Sequence, residues 1–433
     1  MKRVAIIGAG AAGCFCAAQL RSLAPELVVT VFEAGPKPLA KVAITGGGRC
    51  NLTNSFEGIR SLGEAYPRGE RVMKRALKAF SQEDTIRWFE GQGVPCVLQE
   101  DHCWFPKSQN AQDIVHGLQR AMKGADVRLK TPVVSVAQPV VFPTTSTKPT
   151  LNPSPQPSEE NYFSGRDPKN QFSSDSTEPT HINVNGEPFD FVVITTGGAP
   201  KGVPFLEGLG LEMVPPVPSL FTFTVPDPSL RSLMGLVVEA SMGLQGTSYK
   251  AQGALLITDW GLSGPATLKL SSYAARHLAE TGYKGTLGIN WLCLSENEAR
   301  ERLQKTASEN PQKQVSTTHL LQSRLWGHLL RKAGLREDIR WAEVGSKGLN
   351  RLTAVLTSDS YPLSGKSRFR EEFFTCGGVA LSNLDLSTLE CKQHPGLFFA
   401  GEVLDIDAIT GGFNLQAAWS TGYVCAQSIV KSL

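Results

Sequence analysis

The 433-residue sequence lacks the features of several protein classes. Its nine cysteines include no C-x-x-C pair, which argues against a zinc ribbon or a dithiol redox centre, and its seven histidines show no ligand spacing, so no metal site is predicted. No apolar run reaches the ~20 residues of a transmembrane helix. The 43 basic residues nearly balance 40 acidic ones. That balance lacks the charge excess typical of proteins that bind nucleic acids or membrane surfaces.

Signs of secretion are absent as well. The apolar N-terminal stretch is interrupted by Gly8, Gly10 and Gly13, and no small-residue cleavage site follows it. An odd number of cysteines without a signal peptide is typical of a reducing compartment. We therefore expect a cytoplasmic protein that acts on a small-molecule substrate and has no nucleic-acid or membrane partner. The sequence does not indicate an oligomeric state.

Glycines stand at the ends of predicted strands, beginning with the first strand. An apolar run at 4–7 is followed directly by Gly8-x-Gly10-x-x-Gly13 and a helical pattern, and the second predicted strand ends at Glu33. This spacing is the fingerprint of a dinucleotide-binding βαβ unit. Its glycines let the backbone approach the pyrophosphate, and its acid accepts hydrogen bonds from the ribose. The fingerprint by itself leaves NAD and FAD open.

The stretch "TGGGRCNLTN" at 45–54 favours FAD. FAD is the longer ligand and needs a second close approach of backbone, and consecutive glycine N–H groups form a nest for phosphate or flavin carbonyl oxygens. Arg49 adds a rigid fork of donors. The alternative is a structural loop whose Arg49 forms a surface ion pair. Cys50 is expected to pack rather than react, because it has no C-x-x-C partner and no histidine nearby in the sequence.

Three further glycine motifs, two of them glycine pairs, follow the same rule. The predicted strand 191–195 ends in "TGG", the predicted strand 397–400 ends in Gly401-Glu402, and Gly411-Gly412 precede the last predicted helix. Ligands of open α/β sheets bind at the carboxyl ends of strands, and a helix N-terminus suits the anionic edge of a flavin. We expect Glu402 to accept a hydrogen bond from a ribityl hydroxyl. The alternative is a C-terminal helix whose glycine loop only packs on the sheet.

The rest of the chain gives weaker signals. Residues 138–180 are rich in Pro, Ser, Thr and Asn, and we expect a mobile insertion in a surface hairpin. Residues 203–290 are rich in strand patterns, with one helix for which Ser263 is the predicted N-cap. Residues 295–358 form amphipathic helices in which basic and acidic side chains alternate, which indicates a solvated face.

Six stretches resemble, in the same order, the BaiN-like and aminoacetone-oxidase-like FAD-binding flavoproteins of bacteria: "GAGAAG", "TGGGRCNLTN", "TTGG", "GLSGPA", "CGGVAL" and "FAGEVLDIDAITGGFNLQAAWSTG". The resemblance implies an α/β fold, with a Rossmann-like FAD-binding domain from both chain ends and an inserted β-barrel domain with a small helical subdomain. The implied boundaries are 1–202 and 366–433 for the FAD-binding domain and 203–365 for the barrel, with the helices at about 295–358. The sequence departs from the family at Asp259, where a histidine is usual, and at Ala408, where a glycine is usual.

The glycine motifs and the resemblance together imply one set of FAD-binding residues: Gly8, Gly10, Ala12, Gly13, Glu33, Ala34, Lys41, Gly47, Gly48, Arg49, Cys50, Asn51, Val133, Thr196, Gly197, Gly401, Glu402, Gly412, Phe413, Asn414 and Leu415. No catalytic acid or base is identified.

The implied activity is that of an FAD-dependent oxidoreductase that exchanges a hydride between flavin N5 and a small or steroid-like organic substrate. NADH or NADPH is the expected electron donor, bound transiently because the sequence has a single G-x-G-x-x-G. Two alternatives stay open. One is a flavin-binding redox sensor or regulatory protein with little turnover. The other is an FAD-dependent RNA-modifying enzyme, against which the near-neutral charge and the lack of a basic stripe argue.

Overall fold

The structure is a computed structural model, described for residues 1–137, 181–198, 203–366 and 374–433. The insertion predicted at 138–180 and the turn that follows Gly198 therefore lie outside the described residues. Both predicted domain boundaries fall at the edges of such gaps, one at 199–202 and the other beside 367–373.

The described residues contain twenty strands: β1 Arg3–Ile7, β2 Val28–Phe32, β3 Thr53–Asn54, β4 Cys96–Leu98, β5 Cys103–Pro106, β6 Asp126–Arg128, β7 Val136–Ala137, β8 Ile182–Val184, β9 Glu187–Phe189, β10 Phe191–Ile194, β11 Met213–Ser219, β12 Phe223–Thr224, β13 Val237–Leu244, β14 Lys250–Ile257, β15 Gly261–Ser263, β16 Gly285–Asn290, β17 Asp359–Leu363, β18 Gly365–Lys366, β19 Phe374–Val379 and β20 Leu397–Phe399.

They also contain fourteen α-helices: α1 Ala11–Leu23, α2 Thr45–Gly48, α3 Leu62–Ala65, α4 Glu70–Ala79, α5 Gln82–Gly91, α6 Ala111–Ala121, α7 Pro204–Glu207, α8 Pro228–Arg231, α9 Pro265–Tyr273, α10 Ala275–Glu280, α11 Glu296–Glu309, α12 Ser323–Lys332, α13 Trp341–Thr357 and α14 Phe413–Lys431. Short 3-10 turns lie at Val42–Ile44, Val315–Thr317, Leu381–Asn383 and Gly401–Val403. Within the parts of the chain that the structure describes, no helix is both long and apolar enough to cross a membrane.

A five-stranded parallel sheet in the order β20-β10-β1-β2-β6 forms the centre of the first domain. Its strands come from both ends of the chain, because β20 follows the barrel and β1 precedes it. Helices α1 and α14 pack closely, since a Cβ at Gly422 would lie 2.8 Å from Ala12 O. The strands β1 and β10 are buried, which explains their uninterrupted apolar sequences. The predicted Rossmann-like domain from both chain ends is confirmed.

The inserted domain is a barrel. Its seven-stranded antiparallel sheet has the order β17-β16-β13-β14-β15-β12-β18, and the two edge strands β17 and β18 are separated in the chain only by Ser364. The chain therefore passes directly from one edge strand to the other, which requires the sheet to curl round. Helices α11, α12 and α13 follow β16, and α13 is interrupted at Gly345, which has φ 60°. The predicted barrel with a helical subdomain is confirmed.

The chain enters and leaves the barrel at one place. Strand β11 leads into it, β19 leads out of it, and the two pair antiparallel with Ser219 opposite Phe374. This paired connection lies between the parallel sheet and the barrel, where each domain has its own apolar core.

The predicted N-cap of the barrel helix was wrong. Ser263 belongs to β15, where it pairs with Leu256, and the N-cap of α9 is Gly264. Gly264 has φ 90°, which lets the chain turn directly from a strand into a helix, and Pro265 occupies the first helical position as expected.

Candidate functional site

The turn between β1 and α1 contains three glycines in different surroundings. At Gly8, which has φ 109°, a Cβ would lie 2.5 Å from Thr195 O, and at Gly13 a Cβ would lie 2.5 Å from Thr195 Oγ1. Gly10 differs, because no described protein atom lies within 4 Å of a Cβ position there. The turn is therefore packed at Gly8 and Gly13 and open at Gly10, as a pyrophosphate at the N-terminus of α1 requires.

Glu33, directly after β2, is bound to two backbone N–H groups. Its Oε2 accepts from Ala9 N at 2.9 Å, and its Oε1 accepts from the N–H two residues further on at 2.7 Å. A carboxylate has about four acceptor positions, so two remain for ribose hydroxyls. Thr131 N donates to Glu33 O at 2.8 Å, which brings the segment that carries Val133 beside the acid and the exposed Ala34. Three residues of the predicted FAD-binding set, Glu33, Ala34 and Val133, thus lie in one place.

The triple glycine forms α2, a single turn with left-handed backbone. The φ angles are 58° at Gly46, 66° at Gly47 and 82° at Gly48. No described protein atom lies within 4 Å of a Cβ position at Gly47 or Gly48. The last two glycines are therefore required by the backbone conformation and not by a tight contact within the protein, and the space beside them is free for a ligand.

Arg49 and Cys50 have different surroundings. The guanidinium of Arg49 lies 4.7 Å from the ring centroid of Phe105, a cation–π contact, and its Nε donates to Gly46 O at 3.4 Å. Cys50 is buried, and burial raises the pKa of its thiol to about 12. Such a thiol stays protonated at neutral pH and is a poor nucleophile. Cys50 thus packs, as expected, and Arg49 stacks on an aromatic ring where the sequence suggested a phosphate or an ion pair.

Two asparagines that follow the triple glycine join it to the glycine pair before α14. The amide of Asn51 accepts from Gly412 N at 3.3 Å and donates to Thr53 O at 3.1 Å in the orientation that satisfies both groups. Asn54 Nδ2 donates to Gly411 O at 3.0 Å. Residues far apart in sequence therefore form one wall, and the part of Asn54 in it was not predicted.

The start of α14 is fixed in the same region. Tyr66 donates its hydroxyl to Phe413 O at 2.9 Å. Asn414 accepts from Ala408 N at 3.0 Å and donates to Ala408 O at 3.1 Å. The Asn414 side chain thereby closes the loop that precedes Gly412. It does so at Ala408, the position where the family resemblance leads one to expect a glycine.

Polar side chains that follow the carboxyl ends of β10 and β20 have hydrogen-bonding capacity that the described protein atoms do not use. Thr196 Oγ1 is buried and has no hydrogen-bond partner among the described residues. Glu402 accepts from Thr375 N at 2.9 Å through Oε1, while its Oε2 lies 3.5 Å from Lys41 Nζ. Gly197, with φ 73°, leaves Glu402 accessible from its side. A buried hydroxyl without a partner and a partly satisfied carboxylate fit a polyhydroxyl chain such as ribityl.

A cavity of about 490 Å³ lies between the two glycine loops and the barrel, within the ~300–1,000 Å³ range of small-molecule sites. Of the predicted residues, the cavity lining brings together Lys41, Gly47, Asn51, Glu402, Gly412, Asn414 and Leu415. Gly8, Gly10, Gly13 and Glu33 do not line it. The cavity lining therefore brings together part of the predicted FAD-binding set, and the glycine turn after β1 and Glu33 lie outside it.

Another part of the cavity lining comes from the barrel side and was not predicted. It consists of Leu220, directly after β11, Leu268 of α9, and Phe374, the first residue of β19. No sequence signal marks this part of the lining, because isolated apolar residues in strand and helix patterns are indistinguishable from core positions.

A buried ion pair next to the cavity was also missed. The side chains of Arg68 and Asp407 are 13% and 1% exposed and form a two-pronged contact, with Arg68 Nε donating to Asp407 Oδ1 at 2.5 Å. Ser219 Oγ donates to Asp407 at 3.1 Å, and Arg68 donates to Ser272 O at 2.9 Å. Burial acts to lower the pKa of Arg68, but the hydrogen bond and charge of Asp407 outweigh it, and the pKa is raised. The pair thus joins the loop before Gly412 to the barrel.

Comparison with known proteins agrees with this architecture. Residues 2–140 match the family model described as HI0933-like protein Rossmann domain, and residues 217–374 match the one described as HI0933-like protein barrel and H2TH domain. These two segments are the parallel-sheet domain up to the insertion and the barrel with its helices.

Similar proteins align over nearly the whole chain. Two are named ribosomal RNA dihydrouridine synthase: that of Escherichia coli is 29% identical over 99% of this chain and 98% of its own length. That of Haemophilus influenzae is 28% identical over 98% of each. The 3-dehydro-bile acid delta(4,6)-reductase of Clostridium scindens is 24% identical over the full length of both. The chain belongs to the HI0933-like family of FAD-dependent oxidoreductases, with the family's Rossmann domain and its barrel and H2TH domain.

Proposed function

We propose that the protein is an FAD-dependent reductase of a carbon–carbon double bond conjugated to a ring carbonyl. The observation that carries the proposal is a cavity lined both by glycine backbone from two loops and by apolar side chains from the barrel side. Such a space suits a flavin ring with a second, flat organic ring stacked beside it. The relatives' names support this bond type, since dihydrouridine is uridine saturated at the bond next to a ring carbonyl, and a delta(4,6)-reductase saturates ring double bonds.

The residues present fit FAD. Gly10 and the N-terminus of α1 would hold the pyrophosphate, Glu33 the adenosine ribose, and Glu402 a ribityl hydroxyl. The N-terminus of α14 at Gly412 would face the polar edge of the flavin ring with its partial positive charge. FAD, when bound, supplies the two-electron chemistry that the amino acids lack.

The protein's own task is to position the substrate and to exclude water. Leu220, Leu268 and Phe374 offer an apolar surface that removes water from one face of the substrate. Saturation of the double bond also needs protons, and the protic side chains that line the cavity are Lys41, Thr45 and Thr410, together with the carboxylate and amide groups. NADH or NADPH is the electron donor that we propose, bound transiently for want of a second dinucleotide fingerprint.

Within this reaction class we propose first a small ring ketone, because the barrel side of the cavity, formed by Leu220, Leu268 and Phe374, is apolar. A second candidate is uridine within ribosomal RNA, which the names of two full-length relatives favour. An RNA-modifying enzyme admits a flipped-out base and needs cations for the phosphate backbone. Residues 295–358 carry eleven basic and seven acidic side chains, so the helical subdomain has a local positive excess that the whole-chain balance conceals.

The test begins with the purified protein and its visible spectrum. We expect a yellow protein that releases FAD on heating, identified by chromatography, and that is bleached anaerobically by NADH or NADPH. A colourless protein, or one that releases FMN, would contradict the cofactor assignment. The bleached protein is then mixed with a conjugated ring ketone or with unmodified ribosomal RNA, and colour recovery and the dihydrouridine content of the RNA are measured. Recovery with neither would favour the redox-sensor alternative.

A further inference from the structure

Leu220 has an unusual backbone for its residue type. Its φ is 56°, in the left-handed region, where a side chain with a Cβ crowds the following carbonyl. The residue is 7% exposed and lines the cavity. Strained non-glycine residues persist only where the surrounding structure fixes them, and they cluster at ligand sites.

Both neighbours of Leu220 are fixed by side-chain hydrogen bonds. Ser219, on one side, donates to Asp407 at 3.1 Å, and Phe221 N, on the other side, donates to Ser271 Oγ at 3.0 Å. The first bond attaches the strand to the loop before the C-terminal glycine pair. The second attaches it to α9, the helix that carries Leu268. The left-handed turn is therefore imposed from both domains and directs the Leu220 side chain at the cavity.

Leu220 stands within a continuous apolar surface. Ser219 is the register partner of Phe374, so Phe374 lies beside the turn, and Leu268 precedes Ser271 by one helical turn on the same face of α9. The rest of the cavity lining is mixed: it contains glycine backbone and the hydrogen-bonding side chains of Asn51, Asn414 and Glu402, and also the apolar Ile44, Ile409 and Leu415. A flavin ring has hydrogen-bonding edges and suits the glycine backbone and the amides, which leaves the apolar surface of Leu220, Leu268 and Phe374 for the substrate.

We propose that Leu220 is the residue that sets the size of the substrate, a flat and uncharged ring ketone that lies against Leu220, Leu268 and Phe374. The proposal rests on the proposed reductase function and adds the substrate class and the residue that limits it. A hydrophobic pocket discriminates by ~10–200-fold for each methylene that fits or fails to fit. Removal of most of the leucine side chain should therefore change the preference between small and large ketones strongly.

The experiment uses FAD-loaded protein and reads the visible flavin spectrum during titration, without turnover. The two probes are cyclohex-2-en-1-one, with one ring, and androst-4-ene-3,17-dione, with four. We expect Leu220→Ala to raise the affinity for the large probe relative to the small one by at least about tenfold, while FAD affinity stays the same. Leu220→Gly should give the same shift in preference and should also unfold at a higher temperature than Leu220→Ala, because glycine adopts this φ without strain.

A matched control is Leu389→Ala. Leu389 is also a buried leucine with left-handed backbone, with φ 60°, but it does not line the cavity. Its loss should lower stability and leave the preference between the probes unchanged. An unchanged preference in both Leu220 variants would overturn the proposal, as would a loss of FAD affinity comparable to the change in probe affinity. A wild-type spectrum that responds to neither ketone would overturn the substrate class. The reductase function fails separately, if the ketones bind and are not reduced.

Discussion

Replacing Glu33 by alanine tests two tasks of one side chain. In the protein without its cofactor, the carboxylate accepts from Ala9 N at 2.9 Å and from Gly35 N at 2.7 Å. Hydrogen bonds to a charged group contribute ~1.5–3 kcal/mol each, so the upper limit of the loss is about 3–6 kcal/mol. Glu33 is only half-buried and both N–H groups can be rehydrated, so we expect the free energy of unfolding to fall by roughly 1–3 kcal/mol.

Cofactor binding should suffer in addition to the loss of stability. The two acceptor positions of Glu33 that the protein leaves unused are those predicted to bind ribose hydroxyls, and about 1.4 kcal/mol corresponds to a tenfold change in affinity. The Kd for FAD should therefore rise by at least about tenfold. Urea unfolding of the FAD-free protein gives the first quantity, and titration of the FAD-free protein with FAD gives the second.

Asp190→Ala is the control for this measurement. Asp190 accepts from Arg3 N at 2.7 Å and lies directly before β10. It therefore lies at the amino ends of the parallel strands, whereas the glycine turns lie at their carboxyl ends. Its removal should lower the free energy of unfolding without a separate effect on the Kd for FAD. The reasoning is refuted if Glu33→Ala binds FAD as tightly as the wild type, because the ribose then lies elsewhere. An unchanged free energy of unfolding would show that the two backbone bonds do not stabilise the turn.

Three further predictions concern the site and its supports. Gly48→Val should lose FAD, because a β-branched residue does not adopt φ 82°, whereas Cys50→Ser should keep it; the flavin-to-protein absorbance ratio measures both, and loss of electron transfer in Cys50→Ser would make the thiol catalytic. Asp407→Asn should lower the free energy of unfolding by ~3–5 kcal/mol, since it leaves the Arg68 guanidinium buried without its counter-charge. Urea unfolding tests this, and a value within experimental error of the wild type would contradict it. Burial lowers the pKa of His328, so below neutral pH the folded state binds fewer protons than the unfolded state. The neutral His328 therefore contributes to stability above the usual histidine pKa, and this contribution is lost as the pH falls below that value. The free energy of unfolding between about pH 7.5 and 5.5 should therefore fall more in the wild type than in His328→Gln, and equal slopes would exclude His328 as the source.

The sequence predicted those parts of the site that depend on backbone conformation. Gly8, Gly10 and Gly13 were identified because a tight turn before a helix restricts residue type at fixed spacing, and the structure shows two of them packed and one open. The glycine pair before α14 and the domain made from both chain ends were predicted for the same reason. Motifs of this kind depend on residues close together in the chain, so a single sequence is enough to identify them.

The parts that the sequence did not predict depend on partners distant in the chain. Arg68 and Asp407 are 339 residues apart, and neither stands in a motif. Leu220 lies in "SLFTF", which has the alternation of a strand, yet hydrogen bonds from two domains force a left-handed turn there. Ser263 was predicted as an N-cap from local residue preference, but it pairs with Leu256 in the sheet instead, because tertiary contacts override local preference.

The sheet assembled from both ends of the chain has a consequence for biosynthesis. Strand β20, which pairs with β10, is made long after β1, and at ~5–20 residues per second the interval is about 20–80 s. During that time β1 and β10 have apolar faces without their final cover, whereas the barrel strands are nearly contiguous in sequence and can assemble first. Glu402 and Gly412 are made after the barrel, so a cofactor held by these two predicted site residues would load only after the barrel is synthesised. We therefore expect a nascent chain halted before residue 397 to carry a folded barrel beside an incomplete sheet, without the two predicted flavin-site residues Glu402 and Gly412.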